Sequence, residues 1–554
     1  MKGGQAVAKI LKAEGTDFMS HYPFVPITEE LLDEGIRVIV TRHERTSISM
    51  ADAYTRLSMG HKNGVAMCQL GWGAHNILGG LAEAYDDLSP MLMIPCGYSV
   101  NRMELRSWDS VYNFTPVTKW AAHMNSAARV PQLMRIAYTR LRTGRPGPVL
   151  LELMEEVLGG EIPDAQFNYE PVEGWKYQAN PRDVEVAVRA LLNAKAPLLY
   201  VGDGVLQADA CGELKEFVDL VQAPVATSIK GKSAFPEDHP LSVGMRGRAL
   251  WLCMGKSDLV FGIGTSLSGS FGSSVPPGKT IVLCNIGEYD LNLFHRTKYA
   301  VVGDAKLVLR QLIDEVKKQA GAEGRRRNKK LEEEIAQEKK LQFEKWRPKL
   351  ESNDKPINPY RVIWDMMHTF DRKNTVITHE SGNPREQLTA IWEALVPRSY
   401  LGWGYTTNLG FSWGAAMAAK LMWPKKLAVN WLGDAAMGHN AEEIETSLRE
   451  KLPILSVVSN NSGYAVYTSG GKSSLRGIDL KVVTPSSVVS YAKFAESLGA
   501  YGERVEEPDE VVPALKRAMK QISSGRPAMV EVITSKETER ISGPIPADYQ
   551  PGKP

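Results

Sequence analysis

The sequence predicts an α/β protein of three doubly wound parallel sheets, and three observations carry that prediction. Short apolar runs of strand length alternate with helical patterns along nearly the whole chain, which argues for parallel strands covered by helices on both faces. The alternation is interrupted twice, by a loop-rich stretch at 165–185 and a charge-dense stretch at 320–350. The length of 554 residues suits about three or four domains of roughly 150 residues each. The expected division is 1–165, 185–317, a connector at 320–350, 355–540, and a tail at 541–554.

In chain order, Gln5–Glu14 reads as a helix with Val7, Ile10 and Leu11 on one face, followed by a turn and a short strand. Ile36–Val40 is a strand ending at Thr41-Arg42-His43-Glu44, and the next helix carries Ser47, Ser49, Ala51 and Ala53, small enough for tight packing. Gly64–Gln69 is a strand running into Gly71-Trp72-Gly73-Ala74-His75-Asn76, and Pro90–Pro95 and Pro148–Leu153 are buried strands. In the second region Pro197–Val201, Pro224–Ser228, Leu259–Gly262 and Thr280–Asn285 are the strands. Gly262-Ile263-Gly264-Thr265-Ser266 is a glycine-rich turn that falls short of a full GxGxxG. The 320–350 stretch mixes Arg325-Arg326-Arg327 with Glu332-Glu333-Glu334 and reads as a solvated helical connector. The proline- and glycine-rich tail from Ser542 reads as a mobile end or a flap over a site.

The third region centres on Leu427–Tyr467. Leu427–Leu432 is an apolar strand broken by Gly433-Asp434-Ala435-Ala436. Asn440, with Glu443 three residues on, reads as a helix N-cap with a capping box. Leu452-Pro453 ends that helix, Ile454–Val458 is a second strand, and Asn460-Asn461-Ser462-Gly463 follows. One βαβ unit with a right-handed crossover places Asp434 and Asn461 at the C-terminal ends of adjacent parallel strands, the edge on which open α/β sheets bind ligands. A carboxylate, an amide oxygen and a nearby carbonyl suit Mg²⁺ holding a diphosphate. Read singly, each pair is ordinary turn chemistry.

Composition narrows the function. A hydrophobic share of 43% and a charged share of 23% are those of a soluble globular protein. The near balance of 66 basic and 64 acidic residues points away from nucleic acid and anionic membranes. Five scattered cysteines without CxxC or metal spacing fit reduced thiols. There is no signal-peptide pattern and no apolar run long enough to span a membrane, so a cytoplasmic location is expected.

Glu44 is the candidate acid, lying past the end of a buried strand beside a helix of small residues. A carboxyl buried there suits proton exchange; the plain alternative is a surface ion pair with Arg42 or Arg45.

Gly433-Asp434-Ala435 followed by Asn460-Asn461 resembles the signature of thiamine-diphosphate enzymes, with Ala435 in place of the usual last glycine. His43-Glu44 with Ala51-Asp52-Ala53-Tyr54, and Gly71–Asn76, resemble the pyrimidine-binding domain of the acetolactate synthase-like branch. The resemblance implies a pyrimidine-binding, a central and a diphosphate-binding domain. It implies Mg²⁺ on the Asp434 carboxylate, the Asn461 side chain and the Gly463 carbonyl, with Gly433, Ala435 and Ala436 beside the diphosphate. Glu44 is then the activating acid, reaching the cofactor from the partner subunit of a homodimer or homotetramer, with Pro23 and Asn76 near it. Gly402–Lys420 is similar to the segment supporting the bent cofactor: Leu409 falls where a bulky residue wedges between the rings, and Thr407 where a carbonyl receives the pyrimidine amino group. Without the motif Leu409 reads equally as core. Gly382 and Asn383 match a diphosphate-contacting turn, with Pro384 where the family often has histidine.

The resemblance implies decarboxylation of a 2-oxo acid followed by carboligation on a small-molecule substrate. Departures stand out at Trp72, His75, Phe24, Val25, Asp109, and Gly470 or Gly471, the last about where a gating tryptophan belongs. Val25-Pro26-Ile27-Thr28-Glu29 and Glu443-Ile444-Glu445-Thr446 instead resemble the 2-hydroxyacyl-CoA lyase and oxalyl-CoA decarboxylase branch. A non-catalytic subunit with a retained cofactor site is a third reading, against which intact Glu44, Asp434 and Asn461 count. The glycine-rich turn leaves FAD undecided. His75, His379, Glu380, Trp403, His439, Tyr464 and Tyr467 are further pocket candidates, each with a plain reading as a capping or packing residue.

Overall fold

The computed structural model describes residues 1–69, 71–103, 108–269, 274–464, 489–541 and 545–553. Within them lie three six-stranded sheets in which every adjacent pair runs parallel. The first holds β1 (Phe18–Tyr22), β2 (Arg37–Val40), β3 (Val65–Cys68), β4 (Leu92–Pro95), β5 (Trp120–Met124) and β6 (Val149–Leu153), in the order β2-β1-β3-β4-β6-β5. The second holds β7 (Pro197–Val201), β8 (Val225–Thr227), β9 (Ser242–Gly244), β10 (Leu259–Ile263), β11 (Thr280–Asn285) and β12 (Tyr299–Val302), in the order β12-β11-β10-β7-β8-β9. The third holds β13 (Thr375–His379), β14 (Tyr400–Leu401), β15 (Leu427–Gly433), β16 (Leu455–Asn460), β17 (Tyr501–Val505) and β18 (Ala528–Ile533), in the order β14-β13-β15-β16-β18-β17.

The outer sheets therefore share one strand order and the middle sheet has another. Each doubly wound order has a switch point where successive crossovers leave in opposite directions, and ligands bind in the crevice there. In the first sheet it falls between β1 and β3, above Pro23 and Gly71. In the third it falls between β13 and β15, above Gly382 and Asp434. In the second it falls between β7 and β10, where a Cβ on Gly202 would stand 2.1 Å from the Gly264 carbonyl oxygen. The Gly262–Thr265 turn thus has a structural reason for its glycines: two backbones meet there without side chains.

Buried strands such as β3, β4, β7 and β10 were legible because they sit between neighbours and are apolar throughout, and β6 because it is apolar at all but Glu152. Those the periodicity does not give are mainly edges: β5, β9, β12, β14 and β17. β17, Tyr-Gly-Glu-Arg-Val, is largely half-buried and carries charges on its open side. Inside the third sheet, β18 conceals itself by carrying Glu531, whose carboxylate is satisfied by Asn460 Nδ2 at 2.8 Å and the Ala492 N–H at 3.0 Å.

The connector needs correction. Lys329–Leu350 is one helix, but Ile335, Glu338, Leu341, Trp346 and Leu350 are buried along it. Arg248 pairs with Glu338 at 2.8 Å inside that contact. Residues 545–553 of the tail are likewise docked: Tyr549 stacks edge-on against Trp251 and lies under the Arg248 guanidinium.

The first and third units are joined by the helices Glu44–Leu57 and Phe411–Met422. Small side chains let these helices cross closely: a Cβ on Gly414 would stand 2.7 Å from the Ser49 Cβ. Asp87, fully buried, ties all three units. It pairs with Arg56 of the first at 2.8 Å and Lys230 of the second at 3.0 Å, and accepts the Gly404 N–H of the third at 3.1 Å. These two cations hold its carboxyl below the usual range against the effect of burial.

Candidate active site

Strands β15 and β16 pair in register, Gly433 opposite Ser459. The chain continues from each into the same crevice, placing Asp434 and Asn461 one and two residues past that pair. Asp434 opens a single helical turn, Asp434–Met437, and its Oδ2 accepts the Gly463 N–H at 3.0 Å. Burial pushes this carboxyl up to about 6, offset in part by backbone N–H donors and by the charge of Lys536. Asn461 Oδ1 is shut off from solvent with no hydrogen-bond partner among the described residues. A buried carboxylate with no ion pair among the described residues, beside an orphaned amide oxygen, is a set of hard donors. Hard oxygen donors of this kind fit Mg²⁺, which takes its remaining ligands from phosphate and water.

Gly382 and Asn383 face this group from the end of β13. Gly382 has φ +84° and starts the helix Asn383–Ile391, so a side chain there would be strained. Asn383 donates from Nδ2 to the Glu537 carbonyl at 3.3 Å, and its Oδ1 is a second buried oxygen without a partner. Pro384 packs toward Gly433, where a Cβ would stand 3.3 Å from the proline Cγ. Ala435 is half-buried at the rim, whereas Ala436 faces the core with Leu432 and Met437.

The segment from Gly404 to Ser412 is held from two sides. Glu380, buried at the end of β13, accepts the Gly410 N–H at 3.2 Å and the Ser412 N–H at 2.9 Å, so it caps the helix Phe411–Met422. Burial pushes its carboxyl up to about 7. Glu83, on the helix Leu78–Asp86, accepts the Gly404 N–H at 3.0 Å and the Asn408 N–H at 3.2 Å. Between these anchors Thr407 has φ +61°, a left-handed conformation a β-branched residue rarely adopts, and such outliers persist where surrounding structure over-determines them. Leu409 is half-buried against the Trp403–Phe411 cluster, and its carbonyl faces Arg45 Nη1 at 3.4 Å.

Glu44 is the first residue of its helix and is 4% exposed, which removes the surface-ion-pair reading. Arg42 pairs instead with Glu445 at 2.7 Å. The Glu44 carboxylate accepts a hydrogen bond from Asn76 Nδ2 at 3.1 Å, and its other oxygen stands 3.3 Å from where a Cβ on Gly73 would be. Its loop is fixed by Glu443, whose Oε1 accepts the N–H groups of Arg42 at 2.9 Å and His43 at 3.0 Å. Burial pushes Glu443 up to about 7. Pro23 lies exposed after β1, with Phe24 exposed beside it and Val25 buried in the core.

The capping box expected at Asn440 and Glu443 is not formed. Asn440 has φ +64° and donates to Thr46 Oγ1 at 2.9 Å; the helix starts at Glu443, whose carboxyl faces the first unit. Spacing alone does not separate a cap from a residue recruited by a neighbouring unit. Among the other pocket candidates, His379 stacks on Trp403 with ring centres 5.5 Å apart, and burial pushes its imidazole down to about 3, as expected of a neutral packing residue. His439 lies 3.4 Å from Arg45 Nη1, His75 rests against Trp108, and Tyr464 is exposed. Asp109 caps the helix Ser110–Phe114 and lies 3.6 Å from His123. Tyr467, Gly470 and Gly471 fall outside the described residues. Glu83 and Asp87 carry no sequence signal, and Glu443 reads as part of a local cap, because each acts on a segment hundreds of positions away.

No helix among the described residues is long and apolar enough to cross a membrane. Family models match the chain in three places: the N-terminal TPP binding domain of thiamine pyrophosphate enzymes over residues 1–110, their central domain over 184–312, and their C-terminal TPP binding domain over 380–532. The chain is 29% identical to a probable acetolactate synthase large subunit of Methanocaldococcus jannaschii, over 96% of this chain and 92% of that protein. It is 29% identical to the glyoxylate carboligase of Escherichia coli O157:H7, over 92% and 88%. It is 27% identical to the 2-hydroxyacyl-CoA lyase of Arabidopsis thaliana, over 96% and 95%.

Proposed function

The chain belongs to the thiamine pyrophosphate enzymes, and on that premise we propose that it decarboxylates a 2-oxo acid and joins the remaining unit to a second carbonyl compound. The observation that carries this is the presence in one chain of an oxygen donor set, Asp434 with the orphaned Asn461 Oδ1, and a buried acid, Glu44, held by Asn76. When bound, thiamine diphosphate supplies the electron sink that 2-oxo acid decarboxylation requires.

The protein's part is positioning and proton handling. Asp434, Asn461 and the Gly463 carbonyl hold Mg²⁺; Gly382, Asn383, Gly433 and Ala435 line the diphosphate crevice, with Ala436 supporting it from the core side. The Thr407 carbonyl would be the acceptor for the cofactor's amino group, and the Leu409 side chain would support the cofactor from below. Glu44 would hold and pass the proton on its carboxyl toward the cofactor's pyrimidine nitrogen, and Asn76 fixes the orientation of that carboxylate. Burial of Glu44 keeps water from competing for that proton. Pro23 borders the same crevice.

The site is proposed to be completed between two copies of the chain, in a homodimer or homotetramer. Among the described residues no hydrogen bond or ion pair joins Glu44 to Asp434, Asn461 or Gly463. Phe24, Leu78 and Tyr405 are left 61%, 49% and 50% exposed, apolar surface of a kind that another copy would cover.

The second reading, cleavage of a 2-hydroxyacyl-CoA, draws on the Arabidopsis relative and two short sequence matches. A tail closing over the site would serve it, but residues 545–553 pack on Trp251 and Arg248 instead. Protein loaded with thiamine diphosphate and Mg²⁺ is expected to consume pyruvate and form an acetolactate-type product, with no cleavage of 2-hydroxyacyl-CoA. Thioester cleavage without pyruvate consumption would replace this reading with the second.

A further inference from the structure

The loop after β18 brings one cation to the metal-binding group. Thr534 and Ser535 fix its start, donating to the Asn460 carbonyl at 2.8 Å and the Ile357 carbonyl at 2.9 Å. Asn383 Nδ2 and Gln387 Nε2 fix its far side, each donating to the Glu537 carbonyl at 3.3 Å. Lys536 lies between these anchors. Its Cε and Nζ stand 3.3 and 3.5 Å from where a Cβ on Gly463 would be, and Asn461 Oδ1 stands 3.7 Å from the same point. A Cβ at 463 would crowd the tip of the lysine, which glycine leaves clear. Neighbouring Glu537 and Glu539 are both taken by Lys349. Lys536 makes no hydrogen bond or ion pair to a described residue.

Resting on the cofactor reading above, we propose that Lys536 is a positioning residue for the cofactor's diphosphate, pairing its ammonium with phosphate oxygens beside Asp434, Asn461 and Gly463. The charge balance calls for it. Mg²⁺ and a single carboxylate leave most of a diphosphate's negative charge uncompensated, and two of the other donors are neutral. A lysine ammonium is a mobile point charge suited to phosphate oxygens. In this role Lys536 distinguishes thiamine diphosphate from thiamine, since only the former carries the group it meets.

Calorimetric titration of apo-protein with thiamine diphosphate and Mg²⁺ tests this independently of turnover. Lys536→Gln is expected to weaken binding about tenfold, the scale of one charge-assisted hydrogen bond. It should also flatten the salt dependence of the affinity and leave the binding of thiamine unchanged. Lys536→Arg should recover most of the loss. Because the side chain is exposed, the variant's melting temperature should match the parent's. Parent-like affinity and salt dependence in Lys536→Gln would overturn the assignment while leaving the cofactor reading intact. Failure of the unmodified protein to bind thiamine diphosphate would overturn both.

Discussion

Glu44→Gln is expected to slow C2 proton exchange of bound thiamine diphosphate by about 10²- to 10⁴-fold, the range over which a positioned acid–base group contributes. Glutamine keeps the shape and an oxygen to accept the Asn76 hydrogen bond, but it has no proton to pass to N1′. The loss should therefore fall on exchange and turnover. Cofactor affinity should change little, because the anchor lies on the third unit. Quenched-exchange NMR on loaded protein reads the rate, and calorimetry reads the affinity. Exchange at the parent rate in Glu44→Gln would remove Glu44 from the reaction.

Asp434→Ala should have the opposite signature. Removing the carboxylate takes away the one charged ligand expected for Mg²⁺, and the affinity for Mg²⁺ and thiamine diphosphate together should fall by at least about 100-fold. The fold should survive. Burial already pushes the Asp434 carboxyl up to about 6, so without metal the ionised form is held at a cost to the folded state. The one clear loss is the acceptor for the Gly463 N–H. A change in stability of about 1 kcal/mol is expected, small for a buried site. Thermal melting of the apo-protein and titration with cofactor separate the two effects. Tight binding by Asp434→Ala would mean that the metal sits elsewhere.

The βαβ unit at 427–461 was legible because both strands are buried and each ends in turn residues at the C-terminal edge of the sheet. Glu44 stands out through the resemblance of its motif; its place after an apolar strand leaves a surface ion pair open, and only the structure shows the side chain to be buried. The residues that hold these parts still were not legible. Glu443 fixes the Glu44 loop across about 400 positions, and Glu83 fixes the Gly404–Asn408 segment across more than 300. A carboxylate pointing at backbone N–H groups of another unit has no local periodicity to betray it. Asn440 shows the reverse: its spacing satisfies a local capping rule, and a threonine on the first unit takes its side chain instead. Lys536, exposed after the last strand of its sheet, has no sequence signal; only its approach to Gly463 marks it.

The central claim is that Glu44 and Asp434 serve one cofactor and do so from different subunits. Mixing the two inactive variants tests it most directly. Glu44→Gln chains keep the anchor and Asp434→Ala chains keep the acid. If the site forms between subunits, a mixed dimer contains one intact site, and the mixture should recover about a quarter of the parent rate, the share of intact sites in random pairing of symmetric dimers. A mixture as inactive as either variant alone, with subunit exchange demonstrated, would contradict the shared site.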